Sequence, residues 1–374
     1  MIYLDYSATT PINEEVLDSF IKVSKNYPGN PNSLHKLGVE AKHLINSSTE
    51  QIKQILNIKN SEVIYTSGAS EANNLAIKGI ALKYSNRGKH IITTNLEHSS
   101  VEEPIKYLES IGYEISYAKV NSNGKIDLEY LKSIIRDDTI LVSINAVNSE
   151  LGIIQPIEEI GNILNNYPKC YFHVDMTQAI GKIKINLDNV DLFSFSAHKF
   201  YGFKGVGVLI KKEKIIIEPI IHGGKSVTNY RSGTPTLELI VSMAKALRLV
   251  YDNIDDKFNY VKELNNDLRN FFNKYEKVNI NSPIDAIPHI LNISLIGVKP
   301  ETLLHALERD DIYISTKSAC STSDISKSVF EITNNEMCAR SSIRISLSYL
   351  TTKEEIDIFK TTFDKCYKEL TNLR

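Results

Sequence analysis

Two residues whose types can hold one heterocycle stand at the ends of two apolar runs. Asp175 closes the run Tyr171–Val174, and Lys199 follows the run Leu192–Phe195. In an open α/β sheet, ligands sit outside the carboxyl ends of the strands. An acid and an amine delivered there face one crevice. That pairing suits a protonated pyridine nitrogen and an aldehyde on the same ring, as in pyridoxal phosphate (PLP). A surface lysine and a capping aspartate in unrelated loops would show the same spacing, so the remaining motifs must decide.

Several other stretches carry chemistry. Ser67-Gly68-Ala69-Ser70 lies between a strand-like and a helix-like segment, where backbone N–H groups and a hydroxyl can surround a phosphate; an ordinary helix N-cap reads the same way. Gly202-x-x-Gly205-x-Gly207 opens a strand rather than a helix, so it is a tight turn past the lysine and not a dinucleotide fingerprint. His98 follows a strand end and can stack on a ring or move a proton. Arg344 alternates with Ile343 and Ile345, so its guanidinium fork can point into a site and bind a carboxylate, or face solvent from an edge. Cys320 sits in the small, polar stretch Ser315–Ser323, the setting of an exposed loop thiol near a cation, Lys317. Cys338 and Cys366 read as structural, and Cys170 sits in an apolar run.

The elements that must position these groups alternate. Strand-like runs at Glu62–Thr66, Ile91–Thr94, Glu114–Tyr117, Ile140–Ile144, Phe172–Val174, Leu192–Phe195 and Val206–Ile210 are separated by helical patterns. This predicts an α/β fold with a mostly parallel central sheet and helices on both faces. Beyond residue 235 the texture changes. Two helices within Leu237–Asn273, strands at Ile290–Leu295, Ile312–Ser315 and Ser342–Ser348, a helix at Glu301–Arg309 and a terminal helix at Thr351–Thr371 suit a smaller α+β C-terminal domain. The expected organisation is an N-terminal segment, 1–12, packing with the small domain, then a large domain, 13–250, and the small one, 251–374, carrying the Cys320 loop. Asn13 is the expected cap of the first helix.

Composition narrows the classes. A net charge of −2 over 374 residues gives no electrostatic case for binding nucleic acid or a membrane surface directly. No apolar run reaches membrane-span length, and Met1-Ile-Tyr-Leu-Asp5 has neither a basic n-region nor an apolar h-region. The four cysteines are widely spaced, without a C-x-x-C pair. This argues against a disulfide scaffold or a metal knuckle and for a reducing cytoplasm.

Taken in order, these segments resemble the cysteine desulfurases of the NifS/IscS kind, within the class-V, fold-type I PLP enzymes. The resemblance runs from Tyr3-Leu-Asp-Tyr-Ser-Ala-Thr-Thr-Pro11 to Ser341-Ser-Ile-Arg-Ile-Ser346. Between them it rests on Tyr65–Asn73, Glu97-His98, Val147–Gly152, His173–Gln178, Ser194–Lys199 and Arg231–Thr234. It implies that Lys199 tethers PLP, that Asp175 holds the pyridinium nitrogen, and that His98 stacks on the ring and assists proton transfer. Ser70, Ser196 and His198, with the Ala69 backbone, would hold the phosphate. Asn148 and Gln178 would contact the ring's phenolic oxygen, and Asn148 would lie near the substrate. Thr234 would reach the cofactor of a partner subunit, so a homodimer is implied. Arg344 would bind the carboxylate of L-cysteine, and Cys320 would take its sulfur as a persulfide. The sulfur would pass to an acceptor protein, either a tRNA-thiolating enzyme (ThiI-like or MnmA-like) or an iron–sulfur scaffold. A class-V aminotransferase or a selenocysteine lyase shares most of these residues; the aminotransferase has no use for Cys320. Lys317 departs from the Gly-Ser-Ala-Cys pattern of the IscS type, and the chain ends without that type's longer tail.

Overall fold

The computed structural model describes residues 1–224, 226–316 and 325–372; Lys317 and Cys320 lie outside them. β1 (Ile2–Tyr3) opens the chain, followed by α1 (Glu14–Asn26) and α2 (Lys36–Ile55). An alternating series follows: β2 (Ser61–Thr66), α3 (Ala69–Lys83), β3 (His90–Thr93), α4 (Ser99–Ser110), β4 (Glu114–Tyr117) and α5 (Leu128–Ile134). It continues through β5 (Thr139–Asn145), α6 (Ile157–Leu164), β6 (Tyr171–Asp175) and β7 (Leu192–Ser196). A single 3-10 turn, Ala197–Lys199, leads from β7 toward β8 (Gly207–Lys212). Then come α7 (Leu237–Tyr251), α8 (Ile254–Phe272), β9 (Val278–Ile280), β10 (Ile290–Leu295), α9 (Pro300–Glu308) and β11 (Ile312–Tyr313). The chain closes with α10 (Lys327–Thr333), α11 (Glu336–Arg340), β12 (Ser342–Ser346) and α12 (Lys353–Asn372).

Local chemistry sets several of these boundaries. Asn13 caps α1 as expected, its Oδ1 accepting from the Glu15 N–H at 2.9 Å. The predicted break between two helices after residue 237 falls at Asn253, which adopts a left-handed conformation (φ 53°) that asparagine tolerates. Sequence patterning misses β9, α10 and α11. They are short, and the two helices are started by local caps at Ser326 and Asn335 rather than by a long apolar stripe.

The central sheet has the order β2-β8-β7-β6-β5-β3-β4. β3, β4, β5, β6 and β7 pair in parallel, while β8 runs antiparallel between β7 and β2. Residue alternation along the strands builds two cores. Val63, Tyr65, Val142, Ile144, Phe172, Val174, Phe193, Phe195, Val208 and Ile210 face one side, with α1, α2 and α7. Ile64, Ile91, Leu141, Leu192 and Leu209 face the other, against Leu75, Ile77 and Ile80 of α3 and Val101, Ile105 and Leu108 of α4. Burying each such side chain stabilises the fold by about 1.5–3 kcal/mol. A third core joins the antiparallel sheet β12-β10-β9 to α8, α9 and α12. Ile2 and Leu4 belong to it, and β1 pairs in parallel with β11. The first residues therefore reach the C-terminal core before the chain turns back to the large sheet.

Candidate active site

The parallel strands bring their carboxyl ends to one edge. Asn145 of β5 lies opposite Asp175 of β6, and Asp175 opposite Ser194 of β7. The 3-10 turn after β7 then presents Lys199, and the loop after β3 presents His98 as the N-cap of α4. Asn145, Asp175, Lys199 and His98 border one cavity of about 410 Å³, together with Ala69, Ser70, Gln178, Ser196, His198 and Arg344. Gly207 makes the close packing beneath it possible. A Cβ there would lie 2.7 Å from Gly68 Cα and 2.7 Å from Phe195 O. Gly205, at φ +85°, completes the turn expected past the lysine.

Asp175 is buried and held on both oxygens. Thr177 N donates to Oδ1 at 2.9 Å and Asn73 Nδ2 to Oδ2 at 2.8 Å. Asn73 is itself fully buried. Its Nδ2 also donates to Ser100 Oγ at 2.9 Å, and its Oδ1 accepts from Ser194 Oγ. Ser100 in turn meets His98 Nδ1, by its hydroxyl at 2.8 Å and by its backbone N–H at 3.1 Å. Because Nδ1 accepts that N–H, the neutral ring carries its proton on Nε2. Burial holds the His98 imidazolium below its usual range, outweighing the attraction of Asp175. Asn73 and Ser100 therefore tie the acid to the imidazole. Neither was singled out from sequence.

Lys199 is gripped by the start of the chain. Its Nζ donates to Ser7 O at 2.7 Å and to Ala8 O at 2.9 Å. Thr10 accepts the Tyr201 N–H at 2.7 Å and donates to His198 O at 3.0 Å, so Ser7–Thr10 fastens the whole lysine turn. Tyr201 is left-handed (φ 65°), and its hydroxyl is bonded to Ser348 Oγ at 2.5 Å. Burial, then the neighbouring cations beginning with Lys199, push the His198 imidazole down to about 4. It is a neutral ring at physiological pH, and Thr9 Oγ1 lies 3.2 Å from its Nδ1.

Arg344 is almost fully buried. Its Nη1 donates to Ser149 O at 2.9 Å and its Nη2 to Asp5 Oδ1 at 2.8 Å, while its buried Nε meets no partner among the described residues. On β12 it exchanges backbone hydrogen bonds with Ser315, at 2.7 and 3.1 Å. Ser315 stands just before the segment that holds Cys320. After that segment, Ser326 Oγ donates to Glu150 Oε2 at 2.5 Å, next to the cavity-lining Ser149. Cys170, Cys338 and Cys366 are buried.

One residue expected at this chain's own site stands elsewhere. Asn148 does not line the cavity. Its Nδ2 donates to Leu96 O and Ser328 Oγ, and its Oδ1 accepts from the N–H groups of Glu150 and Leu151. Its amide closes the turn in the manner of an Asx motif, and the next residue, Ser149, borders the cavity instead. Thr234 is exposed and lies outside this chain's own cavity. The expected nucleophile, Cys320, falls outside the described residues.

The donor set suits PLP. An acid for the ring nitrogen, an amine, an imidazole and a helix start share one cavity. At that helix start Gly68 gives α3 no side-chain cap, so its first-turn N–H groups remain for a phosphate. Fold and site together define a fold-type I PLP enzyme. The class-V aminotransferase model matches residues 2–359. A NifS/IcsS protein homolog of Lactobacillus delbrueckii subsp. bulgaricus is 40% identical, covering 100% of this chain and 99% of that protein. The cysteine desulfurase IscS of Buchnera aphidicola subsp. Schizaphis graminum is 42% identical, covering 100% of this chain and 93% of that protein. A solved NifS-like protein superposes with TM-score 0.92 at 34% identity over 99% of both chains. The structure of SspA in complex with cysteine gives TM-score 0.82 at 32% identity, over 94% of this chain and 100% of that one. The chain belongs to the class-V aminotransferase family, within its NifS/IscS cysteine desulfurases. PLP is the cofactor of that family.

Proposed function

We propose that this enzyme removes sulfur from L-cysteine, releasing L-alanine and carrying the sulfur as a persulfide on Cys320. One observation carries the reading. Asp175, His98, Lys199 and Arg344 border a single cavity, and the described residues on either side of the Cys320 segment are bonded at or beside its wall, Ser315 to Arg344 and Ser326 to Glu150, the neighbour of the cavity-lining Ser149. Bound PLP supplies an electron sink for charge arising at the substrate's α-carbon.

The chain's own groups do the rest. Asp175 keeps the ring nitrogen protonated, held as an anion by Asn73 and the Thr177 N–H. The first turn of α3, with Ser70, Ser196 and His198, takes the phosphate. Arg344 takes the substrate carboxylate; its Nε is a buried donor that meets no partner among the described residues. Lys199 Nζ removes the α-proton, and the Ser7 and Ala8 carbonyls hold that amine at the cavity wall. His98, with its Nε2 proton directed by the Ser100 contacts at Nδ1, would move protons within the cavity it lines. The Cys320 thiolate attacks the substrate sulfur. A sulfur–sulfur bond forms, the Cβ–S bond breaks, and its electron pair stays on the substrate carbon. That carbon takes up a proton to become the methyl group of alanine.

Thr234, exposed and away from its own cavity, fits a role at a partner subunit's cofactor in a homodimer. The persulfide would pass to an acceptor protein of tRNA thiolation or of iron–sulfur assembly in the cytoplasm. The test is Cys320→Ser in an assay of alanine and sulfide from L-cysteine. Sulfide release should fall to background while the absorbance band of bound PLP persists. Full turnover in that variant removes Cys320 from the reaction.

A further inference from the structure

Behind the cavity wall lies a buried amine that the mechanism above does not use. Lys182 belongs to the turn after β6, and its Nζ donates to Gln178 Oε1 at 2.9 Å. Burial, then Lys199 and Arg344, both cations, push the amine down to about 7. His289 and Lys257 share a small buried space with Lys182 and Lys199. A long cationic side chain is thus kept in a dry, positively charged pocket, where an aliphatic residue would be easier to accommodate. Gly181 puts it there: the residue is left-handed (φ +71°), and a Cβ would meet Val250 Cγ2 at 2.6 Å.

The contact it makes is specific. The far end of the Gln178 amide donates to Ser7 O at 3.0 Å. A carbonyl only accepts, so that end is the NH2 and the end at Lys182 is the oxygen. One N–H of Gln178 is used by Ser7, and the other remains for the cavity that Gln178 lines. Ser7 O also accepts from Lys199 Nζ, so Lys182, Gln178, Ser7 and Lys199 form one hydrogen-bonded series.

We propose that Lys182 is a positioning residue that clamps the Gln178 amide so that its free N–H faces an anionic oxygen of the bound cofactor. The inference rests on the reading of Gln178 as a cofactor contact. It assigns to a residue outside the cavity the task of keeping one cavity donor in a single orientation.

The test titrates the stripped full-length chain with PLP and follows the dissociation constant, the absorbance band of the bound cofactor and the thermal midpoint. Lys182→Met should raise the dissociation constant about tenfold, the loss expected when one well-placed hydrogen bond becomes mobile. The band should move with it, and the thermal midpoint should rise, because a buried cation has gone. A residue of merely structural importance would lower the midpoint instead. Gln178→Leu should weaken binding to a similar degree, and the double variant should be no worse than either. Lys182→Gln, which keeps a donor toward Gln178 Oε1, should bind within about threefold of the wild type. It also decides the matter if Lys182→Met does not fold, since a tenfold loss there overturns the proposal. Wild-type binding by Lys182→Met alongside a weakened Gln178→Leu overturns the clamp alone, as do losses that multiply in the double variant. Unchanged binding by Gln178→Leu overturns the reading of Gln178, and the clamp with it.

Discussion

Asn73→Asp tests the electrostatics of the site with almost no change of shape. It puts a carboxylate oxygen where Nδ2 now sits, 2.8 Å from Asp175 Oδ2 in a fully buried position. At an effective dielectric of about 20, two charges at that distance repel by about 6 kcal/mol. The pair therefore retains one proton in the folded chain far above the ordinary carboxylate range, while the unfolded chain gives it up. The sign follows. A folded-state affinity raised in this way leaves stability intact at low pH and removes it as pH rises, by about 1.4 kcal/mol per unit. Between pH 5 and pH 8 the variant should lose up to about 4 kcal/mol relative to wild type. Asn73→Ala is the control. It removes the donor to Asp175 and the acceptor from Ser194 without adding charge, for about 2–4 kcal/mol that hardly varies with pH. Urea unfolding of both variants at the two pH values gives the comparison, with cysteine turnover measured in parallel. Turnover should fall further in Asn73→Asp, because a shared proton leaves Asp175 less able to hold the ring nitrogen. If the two variants lose the same stability at pH 5 and pH 8, Asn73 does not face an ionised Asp175 and the network is wrong.

Further expectations concern other groups. Glu97 is half-buried with its Oε2 shielded from solvent, and burial pushes its carboxyl up to about 8, with Asp175 adding to the effect. A raised folded-state value favours the fold at low pH and ceases to do so as pH rises through it, so Glu97→Gln should gain stability over wild type progressively from about pH 4.5 to 8. Parallel pH-dependent unfolding midpoints would contradict this. Arg344→Gln should raise KM for cysteine roughly 10- to 100-fold with a smaller change in kcat, since one charge-assisted contact contributes about 1.5–3 kcal/mol; an unchanged KM would place the carboxylate elsewhere. Phe172→Ala, at a fully buried position between sheet and helices, should lower unfolding stability by about 3–5 kcal/mol, read by urea titration.

How much of this was legible in the sequence follows from where each contact lies along the chain. Asp175, Lys199 and His98 could be found because a parallel sheet delivers the residue after each strand to the same edge, and strands announce themselves by local apolar runs. Asn73, Ser100 and Ser7 could not. Asn73 meets Asp175 across 102 residues and Lys199 meets Ser7 across 192, and no local pattern specifies either pairing. Ser7 adds a second difficulty, since it acts through its carbonyl, which any residue type would supply.

Asn148 and Ser149 show the finer limit. The resemblance implied that Asn148 touches the cofactor, and the residue stands in a turn after β5. Which of two adjacent residues looks into the cavity depends on which side chain the turn uses for itself. Asparagine closes such turns better than serine because its amide can accept from two following N–H groups and still donate twice. Asn148 does all of this, leaving Ser149 at the cavity with its carbonyl bound to Arg344. The residue better equipped to touch a ligand is therefore the one the backbone occupies. The same rule bears on Gln178 in reverse. Its amide also has a backbone partner in Ser7, but its oxygen is taken by Lys182 rather than by the main chain, and one donor is left for the site. What distinguishes the turn amide of Asn148 from the amide of Gln178 is whether a donor is left over once the fold's own contacts are made.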